Sequence, residues 1–202
     1  MGKINLNDEN NQYFDVLKEI GNIGAGNATT ALAQLLNKKV EMDVPEVKLL
    51  DFKDVGEVIG GEEQIVASIY LMIQGDISGS IMFLLQKESA RNLVSMLMGI
   101  PCSKETDLND MEKSALKEIG NIITASYLNS MSTLTGLKIY PSVPALSIDM
   151  AGAIMSVPSI EFGTLGDKIL LIENQFSDGL NGFFVLVPDI DSYDRILSSI
   201  GL

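Results

Sequence analysis

The sequence contains no histidine and no tryptophan, and Cys102 is the only cysteine among its 202 residues. Without histidine the chain cannot hold a Ser-His-Asp or Cys-His nucleophilic system, a histidine-ligated zinc ion or a phosphohistidine. A single cysteine cannot form a disulfide within the chain, which suits a reducing compartment. These absences exclude several classes of enzyme and predict a cytoplasmic protein.

Basic residues are also scarce, since 14 lysines and arginines stand against 27 acidic residues and leave a net charge of −13. They form no run, so an electrostatic surface for nucleic acid or for an anionic membrane is not expected. No apolar stretch reaches the roughly 18 residues of a membrane-spanning helix, and the first residues lack the basic and apolar blocks of a signal peptide. With 46% hydrophobic residues, the chain is expected to fold as a globular protein without membrane insertion.

A heptapeptide, LKEIGNI, occurs twice, at 17–23 and at 116–122. The offset of 99 positions also aligns Asp15 with Ser114 and Pro45 with Pro144. Each copy therefore reads Asp or Ser, three residues, Glu, two residues, Asn, twenty-two residues and Pro. The repeat predicts two structurally equivalent halves.

The spacing within each copy has a geometric meaning if the segment is helical. At about 100° per residue, the three polar positions of each copy lie in a strip roughly 60° wide. The strips are formed by Asp15, Glu19 and Asn22 in the first copy and by Ser114, Glu118 and Asn121 in the second. Apolar residues occupy the far side, so we expect a polar row that faces water on each of two long helices.

The pattern around the repeat predicts the same order of elements in each half: a long helix, a strand, a variable stretch, a hairpin and a closing helix. In the first half these are a helix at 10–36 capped near Asn7, a strand at 40–44 ended by Pro45, an exposed loop at 49–64, a hairpin of 65–73 with 80–85, and a helix at 87–98. In the second half they are a helix at 108–135 capped by Asp107, a strand at 138–141, an Ala-, Ile- and Met-rich segment at 145–157, a hairpin of 168–176 with 182–187, and a helix at 190–200.

Three strands in each half are too few for two separate sheets, so we expect a single α/β (α+β) domain over 1–202. Its halves, about 1–100 and 101–202, would share one antiparallel or mixed sheet. A pseudo-twofold axis would relate the halves, and both long helices would pack on the sheet.

The plainest interpretation of Glu19, Asn22 and their repeats is a solvated helix face. It gives no reason for Glu and Asn to recur while neighbouring positions differ, and Asn is a mediocre helix former. A metal site is disfavoured because Ser114 replaces the first carboxylate and a hard cation prefers about six oxygens. A glycosidase-type pair is also disfavoured. It would need Glu19 and Glu118 within about 10 Å, whereas the outward faces of two parallel helices would hold them apart. The glycines near Asn22 lack the spacing and the preceding strand of a dinucleotide site.

An Asn one helical turn from a Glu suits phosphoryl chemistry better. A carboxamide can accept a hydrogen bond from water while it donates one to a phosphoryl oxygen, and so can hold the water in line for attack. The carboxylate can pair with a lysine of the substrate protein. Such a site needs no metal or nucleophile of its own if the substrate carries both Mg²⁺ and the phosphoryl group, as an aspartyl-phosphorylated response regulator does.

The complete pattern, at Asp15, Glu19, Asn22 and Pro45 and again at 114, 118, 121 and 144, resembles the signature of the CheC family of chemotaxis phosphatases, to which CheX and FliY are related. The resemblance covers essentially the whole chain. It implies a CheC-like fold and hydrolysis of the aspartyl phosphate of the two-component regulator CheY. It also implies that Asn22 and Asn121 orient water, that Glu19 and Glu118 hold the regulator, and that the chain binds no cofactor itself.

Proteins of this family also bind the receptor deamidase CheD. The segment 148–153 resembles the part of CheC that contacts CheD, with Asp149 as the polar residue in an apolar setting. The alternative for this segment is a core-packed helix with one exposed acid. The alternative for the whole chain is a non-catalytic adaptor that binds CheD or a response regulator without hydrolysis, although an adaptor would not need both Asn22 and Asn121.

Overall fold

The computed structural model describes residues 12–41, 43, 45–103, 106–162, 168–176 and 180–201. Within these residues the first half contains, in order, α1 (Gln12–Leu35), β1 (Glu46–Asp51), α2 (Phe52–Ile59), β2 (Ile65–Gly75), β3 (Gly79–Gln86) and α3 (Lys87–Met98). The second half contains α4 (Asp110–Thr135), β4 (Ile139–Pro141), β5 (Ala145–Met150), α5 (Ala151–Phe162), β6 (Lys168–Phe176), β7 (Leu180–Pro188) and α6 (Ile190–Ser199). Apart from the short β4, the second series repeats the first, and the predicted long helices, hairpins and closing helices are confirmed.

All of these strands form one antiparallel sheet in the order β1-β6-β7-β3-β2-β4, and β5 pairs with β2 beside β4. The two halves meet at the centre, where β3 pairs with β7 and Phe83 lies opposite Phe184. Outer strands cross between the halves, because β1 of the first half pairs with β6 of the second, and β4 and β5 of the second half pair with β2 of the first. Because each half supplies an outer strand to the other, the predicted shared sheet is confirmed.

The register of the outer strands shows that the duplication extends beyond the heptapeptide. Val47 of β1 pairs with Ile172 of β6 at one edge of the sheet. The equivalent Leu146 of β5 pairs with Ile69 of β2 at the other edge. The sheet therefore has a pseudo-twofold axis between its central strands β3 and β7, as the repeat predicted.

Two hydrophobic cores lie on opposite faces of this sheet. The larger core packs α1, α3, α4 and α6 on one face and contains Leu17 and Leu116. The smaller core packs α2 and α5 on the other face through residues such as Val55 and Ile154. Burial of each large apolar side chain contributes on the order of 1.5–3 kcal/mol. The long helices are therefore held with one face on the sheet and the opposite face in solvent.

The predicted strand at 40–44 is wrong. Residues 40, 41 and 43 have no regular structure, and β1 begins at Glu46, after Pro45 rather than before it. Proline cannot donate a ladder hydrogen bond, and the alternating side chains that enter the core are Val47 and Leu49. Residues 42 and 44 lie outside the described residues, as does the predicted helix cap Asn7.

The predicted loop at 49–64 is also wrong over most of its length, because it contains the end of β1 and the whole of α2. Val55 and Ile59 give α2 a buried face on the smaller core. The glycines that suggested a loop are instead part of α2 or end it. Gly56 is buried against Glu62, and Gly60 ends the helix in the left-handed region at φ 117°.

The Ala-, Ile- and Met-rich segment 145–157, to which the sequence assigned no helix or strand, forms β5 and then most of α5. One prediction in the second half needs a small correction. The N-cap of α4 is Asn109 rather than Asp107, because the Asn109 side chain accepts from the backbone N–H of Glu112. A capping box of this kind satisfies two helix-terminal donors together, since the Glu112 carboxylate accepts in return from the backbone N–H of Asn109.

Candidate functional site

The polar row of α1 lies on the side of the helix that faces away from the sheet. Asp15 and Glu19 are exposed and Asn22 is half-buried. Leu17 and Ile20, which alternate with them in sequence, are buried in the larger core. Residues three apart on a helix are surface neighbours, so the carboxylate of Glu19 and the amide of Asn22 share one patch of solvent-facing surface.

The equivalent row on α4 has the same exposure. Ser114 and Glu118 are exposed, and Asn121 is half-buried. Leu116 and Ile119 lie on the buried side of the helix. The structure therefore places a Glu–Asn pair on the outer face of each long helix, and neither pair is covered by the sheet or by the smaller core.

The two glutamates have no partner inside the described part of the protein. Neither Glu19 nor Glu118 makes a hydrogen bond or an ion pair with another described residue. A carboxylate in this state is hydrated, and it can pair with a cation from another molecule without first breaking an internal contact. A solvent-exposed pair of this kind contributes less than about 1 kcal/mol by itself, so the glutamates alone would not hold a partner.

The side-chain oxygen of Asn22, Oδ1, is buried and has no hydrogen-bond partner among the described groups. A buried acceptor in this state costs about 1–3 kcal/mol. Rotation of the carboxamide by 180° would only place the nitrogen in the buried position that the oxygen now occupies. The equivalent Asn121 has no such orphaned buried atom in the described structure, so the two amides differ in environment.

Glycines allow the long helices to approach their neighbours closely. A Cβ on Gly24 would lie 2.5 Å from the ring of Tyr127 on α4, and one on Gly21 would lie 3.1 Å from Val47 of β1. The first distance is too short for any side chain, so α1 can contact α4 here only through glycine. Gly21 and Gly24 therefore permit close packing of α1 against β1 and α4. By contrast, a Cβ on Gly26 would meet nothing within 4 Å.

Polar side chains also join α1 to α4, beyond the rows in sequence. Asn27 Nδ2 donates to Ser130 Oγ at 2.8 Å, and Ser126 Oγ donates to the backbone oxygen of Asn27 at 3.1 Å. These three residues line a groove of about 370 Å³ between the helices, whose walls carry no charged side chain. The sequence analysis did not predict this contact between α1 and α4, although the offset of 99 positions aligns Asn27 with Ser126.

The two motif prolines lie at the start of the outer strands. Pro45 is buried directly before β1, and Pro144 is half-buried directly before β5. Proline fixes its own φ and restricts the preceding residue. Their place in the repeat therefore reflects the path that the chain takes from each long helix into its outer strand.

Asp149 lies apart from both rows. It is the next-to-last residue of β5, it is exposed, and its Oδ1 accepts a hydrogen bond from the backbone N–H of Met150 at 2.8 Å. It pairs in register with Val66, which belongs to the smaller core. Paired residues point to the same face of a sheet, so Asp149 is directed to the α5 side, opposite α1 and α4.

Other chemistry finds little support in the described ranges. No group of three or more Cys, Asp and Glu side chains there is arranged to hold a metal ion. Cys102 is half-buried, and burial raises the pKa of its thiol, which makes it a poor nucleophile. None of the described helices has the length and apolar character needed to cross a membrane.

Comparisons with known proteins agree with this architecture. A sequence profile of the CheC-like family matches residues 15–49 and 111–148, which contain both polar rows and both prolines. The chain is 38% identical to the CheY-P phosphatase CheC of Bacillus subtilis over 197 residues, which cover 94% of each protein.

Two solved structures are similar to the fold. The crystal structure of Thermotoga maritima FliY matches with a TM-score of 0.70 and 26% identity, over 94% of this chain and 96% of that one. A CheX-CheY-BeF3-Mg+2 complex from Borrelia burgdorferi contains a chain that matches with a TM-score of 0.54 and 18% identity, over 85% and 96% of the two chains. At that identity the second match supports the fold alone. From the sequence matches and the doubled Glu–Asn row, we conclude that the chain belongs to the CheC-like family.

Proposed function

We propose that this protein is a phosphatase that hydrolyses the aspartyl phosphate of a CheY-type response regulator. The observation that carries the proposal is the pair of Glu–Asn rows, one on the outer face of each long helix. The 38% identity to a protein named a CheY-P phosphatase, over 94% of both chains, supports the same activity.

In this mechanism the amides of Asn22 and Asn121 position the attacking water. The amide oxygen accepts a hydrogen bond from the water, and the amide nitrogen donates to a phosphoryl oxygen. The water oxygen forms a bond to phosphorus while the bond from phosphorus to the aspartyl oxygen breaks. The products are inorganic phosphate, which retains the oxygen of the water, and the free aspartate of the regulator. Orientation of a bound water is a known source of large rate enhancement.

The glutamates have a separate part in this proposal. Glu19 and Glu118 are exposed and have no partner among the described residues, so each can form an ion pair with a lysine of the docked regulator. Such a pair fixes the distance between the regulator and the neighbouring Asn, one turn further along the helix. The net charge of −13 favours a partner surface with positive charge.

Mg²⁺ belongs to the substrate in this scheme. A phosphorylated regulator carries its own divalent ion and phosphoryl group, so this chain would supply neither a metal ligand nor a nucleophile. The cation would neutralise charge that develops on the phosphoryl oxygens. The residues of this chain contribute the positions of water and regulator.

Docking would have to change the environment of Asn22. Its oxygen is now buried without a donor among the described residues, and for catalysis this oxygen must turn toward the water. A buried oxygen without a hydrogen bond costs about 1–3 kcal/mol. Moving the Asn22 side chain out of this position therefore costs little free energy. Asn121 begins without this orphaned atom, and the two rows are therefore expected to differ in activity.

The activity can be tested on a phosphorylated CheY-type regulator by following the loss of its phosphate. Addition of this protein should accelerate the loss in proportion to its concentration. A non-catalytic adaptor would bind the phosphorylated regulator and leave the decay unchanged or slower, and that result would replace the phosphatase proposal. Activity in the presence of regulator stripped of Mg²⁺ should be lost if the metal comes with the substrate.

We also propose that the junction of β5 and α5 binds the receptor deamidase CheD. Asp149 is exposed there, on the α5 side of the sheet, and the apolar side chains of Val157 and Ile160 on α5 are 48% and 80% exposed. Exposed apolar side chains on the helix that borders this junction are a feature of interaction surfaces. Asp149→Lys should weaken CheD binding in a titration and leave phosphatase activity intact, and unchanged affinity would exclude this surface. We further propose that the protein acts in the cytoplasm, as a single domain over 1–202.

A further inference from the structure

A pocket of about 320 Å³ opens between β5, α3 and the beginning of α4, and we call it the basic pocket. Its floor is apolar and its rim is charged. The floor is formed by Ile65, Ala67, Ala90, Leu108 and Ile148, and the rim by Lys87, Arg91, Lys113 and Asp107. Three of the 14 basic residues in a chain of net charge −13 therefore lie around one pocket.

The three cations of the rim differ in how firmly they are held. Arg91 is only 8% exposed, and its Nη2 donates to the backbone oxygen of Thr106. Lys87 Nζ lies 3.7 Å from Asp107, whose side chain is 93% exposed. Lys113 is exposed and forms no ion pair with a described residue. The described residues that line the rim include one acid against three bases, and an anionic group could complement this excess of positive charge.

The duplication provides an internal comparison for this pocket. The offset of 99 positions aligns Lys113 with Phe14, which packs against the larger core. It also aligns Ile148 of β5 with Leu49 of β1. Leu49 is 6% exposed, whereas Ile148 is 37% exposed. The second half thus has a lysine where the first half has an aromatic ring, and its outer strand is left uncovered.

The outer edge of β5 is open as well. In the described structure β5 pairs with β2 on one side, and no strand pairs with its other side. Its one charged residue, Asp149, points to the opposite face of the sheet. At the far edge, by contrast, Lys48 of β1 forms ion pairs with Glu46 and Glu173. Charged side chains of that kind normally discourage pairing at an edge, and β5 lacks them on the pocket side.

We propose that β5 and the basic pocket bind an extended acidic segment of a partner protein. The backbone of the segment would pair with the free edge of β5, as in other peptide-binding sheets. One of its carboxylate side chains would enter the pocket among Lys87, Arg91 and Lys113. This proposal does not depend on the phosphatase activity, since the site lies on different residues from both Glu–Asn rows.

A second copy of this chain fits the site less well than an acidic partner. Two copies each carry a net charge of −13, so they repel one another. A second β5 would present Leu146, Ile148 and Met150 to the pocket side, because only alternate residues share a face. None of these supplies the carboxylate that the basic rim can bind.

The test uses a capped peptide, acetyl-Thr-Val-Glu-Val-Thr-amide, and its Gln counterpart as probes, with binding followed by backbone amide NMR. The Glu peptide should shift the amide signals of β5 and of Lys113, and the Gln peptide should bind about fivefold more weakly. Lys87→Gln combined with Lys113→Gln should weaken binding of the Glu peptide by a similar factor. Lys113→Phe, which restores the residue type of the first half, should cover Ile148 and abolish the shifts.

Lys138→Gln is the matched control, because it removes the same charge from an exposed position beyond the C-terminal end of α4 and outside the pocket. It should leave the affinity unchanged. Equal binding of the Glu and Gln peptides would overturn the proposal, as would an absence of shifts in β5. Shifts in β5 that depend on protein concentration alone, with a doubled mass in sedimentation, would assign the edge to a second copy and also overturn it. Arg91 is left intact, because its buried contact with Thr106 supports the fold.

Discussion

Gly24 of α1 lies directly against the ring of Tyr127 of α4, so closely that a Cβ on the glycine would come within 2.5 Å of the ring. The same ring stacks on Phe184 of β7, with centroids 5.2 Å apart and an interplanar angle of 25°. One aromatic side chain thus connects both long helices to the middle of the sheet. The relative position of the two Glu–Asn rows depends on this contact.

Gly24→Ala is expected to lower stability. The added methyl group cannot fit beside Tyr127 unless α1 moves away from α4, and overpacking of this kind costs about 1–3 kcal/mol. Chemical denaturation should show a lower midpoint. Gly26→Ala is the matched control, because a Cβ there meets nothing within 4 Å. That change should raise stability by about 0.5–1 kcal/mol, since alanine is the better helix former. Equal effects at both positions would contradict the packing described above.

Tyr127→Phe is expected to maintain or raise stability. The hydroxyl of Tyr127 is buried and has no hydrogen-bond partner in the described structure. Its removal should therefore gain about 1 kcal/mol rather than lose it. Burial raises the pKa of Tyr127 well above its ordinary value, so the hydroxyl stays neutral in the folded protein. Thermal unfolding of the variant measures the difference, and a large loss of stability would indicate a hidden partner for the hydroxyl.

Stability should also fall at alkaline pH through Tyr70. Burial, together with a hydrogen bond of 2.6 Å that its hydroxyl donates to Glu161, raises the pKa of Tyr70 to about 12. An unfolded tyrosine ionises near pH 10. The folded protein therefore keeps a proton that the unfolded chain loses, and this contribution is complete below about pH 10 and disappears as the pH rises to about 12. Tyr70→Phe should show a smaller decrease in Tm over that interval, and an unchanged decrease would exclude Tyr70 as a cause.

The local elements and the shared sheet could be predicted from the sequence, and the pairing of individual strands in that sheet could not. The rows around Glu19 and Glu118 depend only on helical spacing, so the repeat located them. The exchange of β1 and β5 between halves depends on pairings such as Val47 with Ile172, which are far apart in the chain. No local pattern contains that information.

The errors in the first half have a common physical cause. Glycine and proline favoured breaks in structure, although Gly56 lies inside α2, Gly60 only caps that helix, and Pro45 directly precedes a strand. Whether a glycine ends an element or permits close packing depends on what lies beside it in three dimensions. The contact between Asn27 and Ser130 was missed for the same reason.

The most direct test of the central claim is the rate of phosphate loss from a phosphorylated CheY-type regulator with four proteins: wild type, Asn22→Ala, Asn121→Ala and the double variant. Binding of the beryllofluoride-bound regulator is measured in parallel. Each single variant should lose the contribution of one row, and the double variant should lose about 10²-fold in kcat while it still binds the regulator. A double variant that keeps the wild-type kcat would contradict the account, because neither amide would then be needed to position the water.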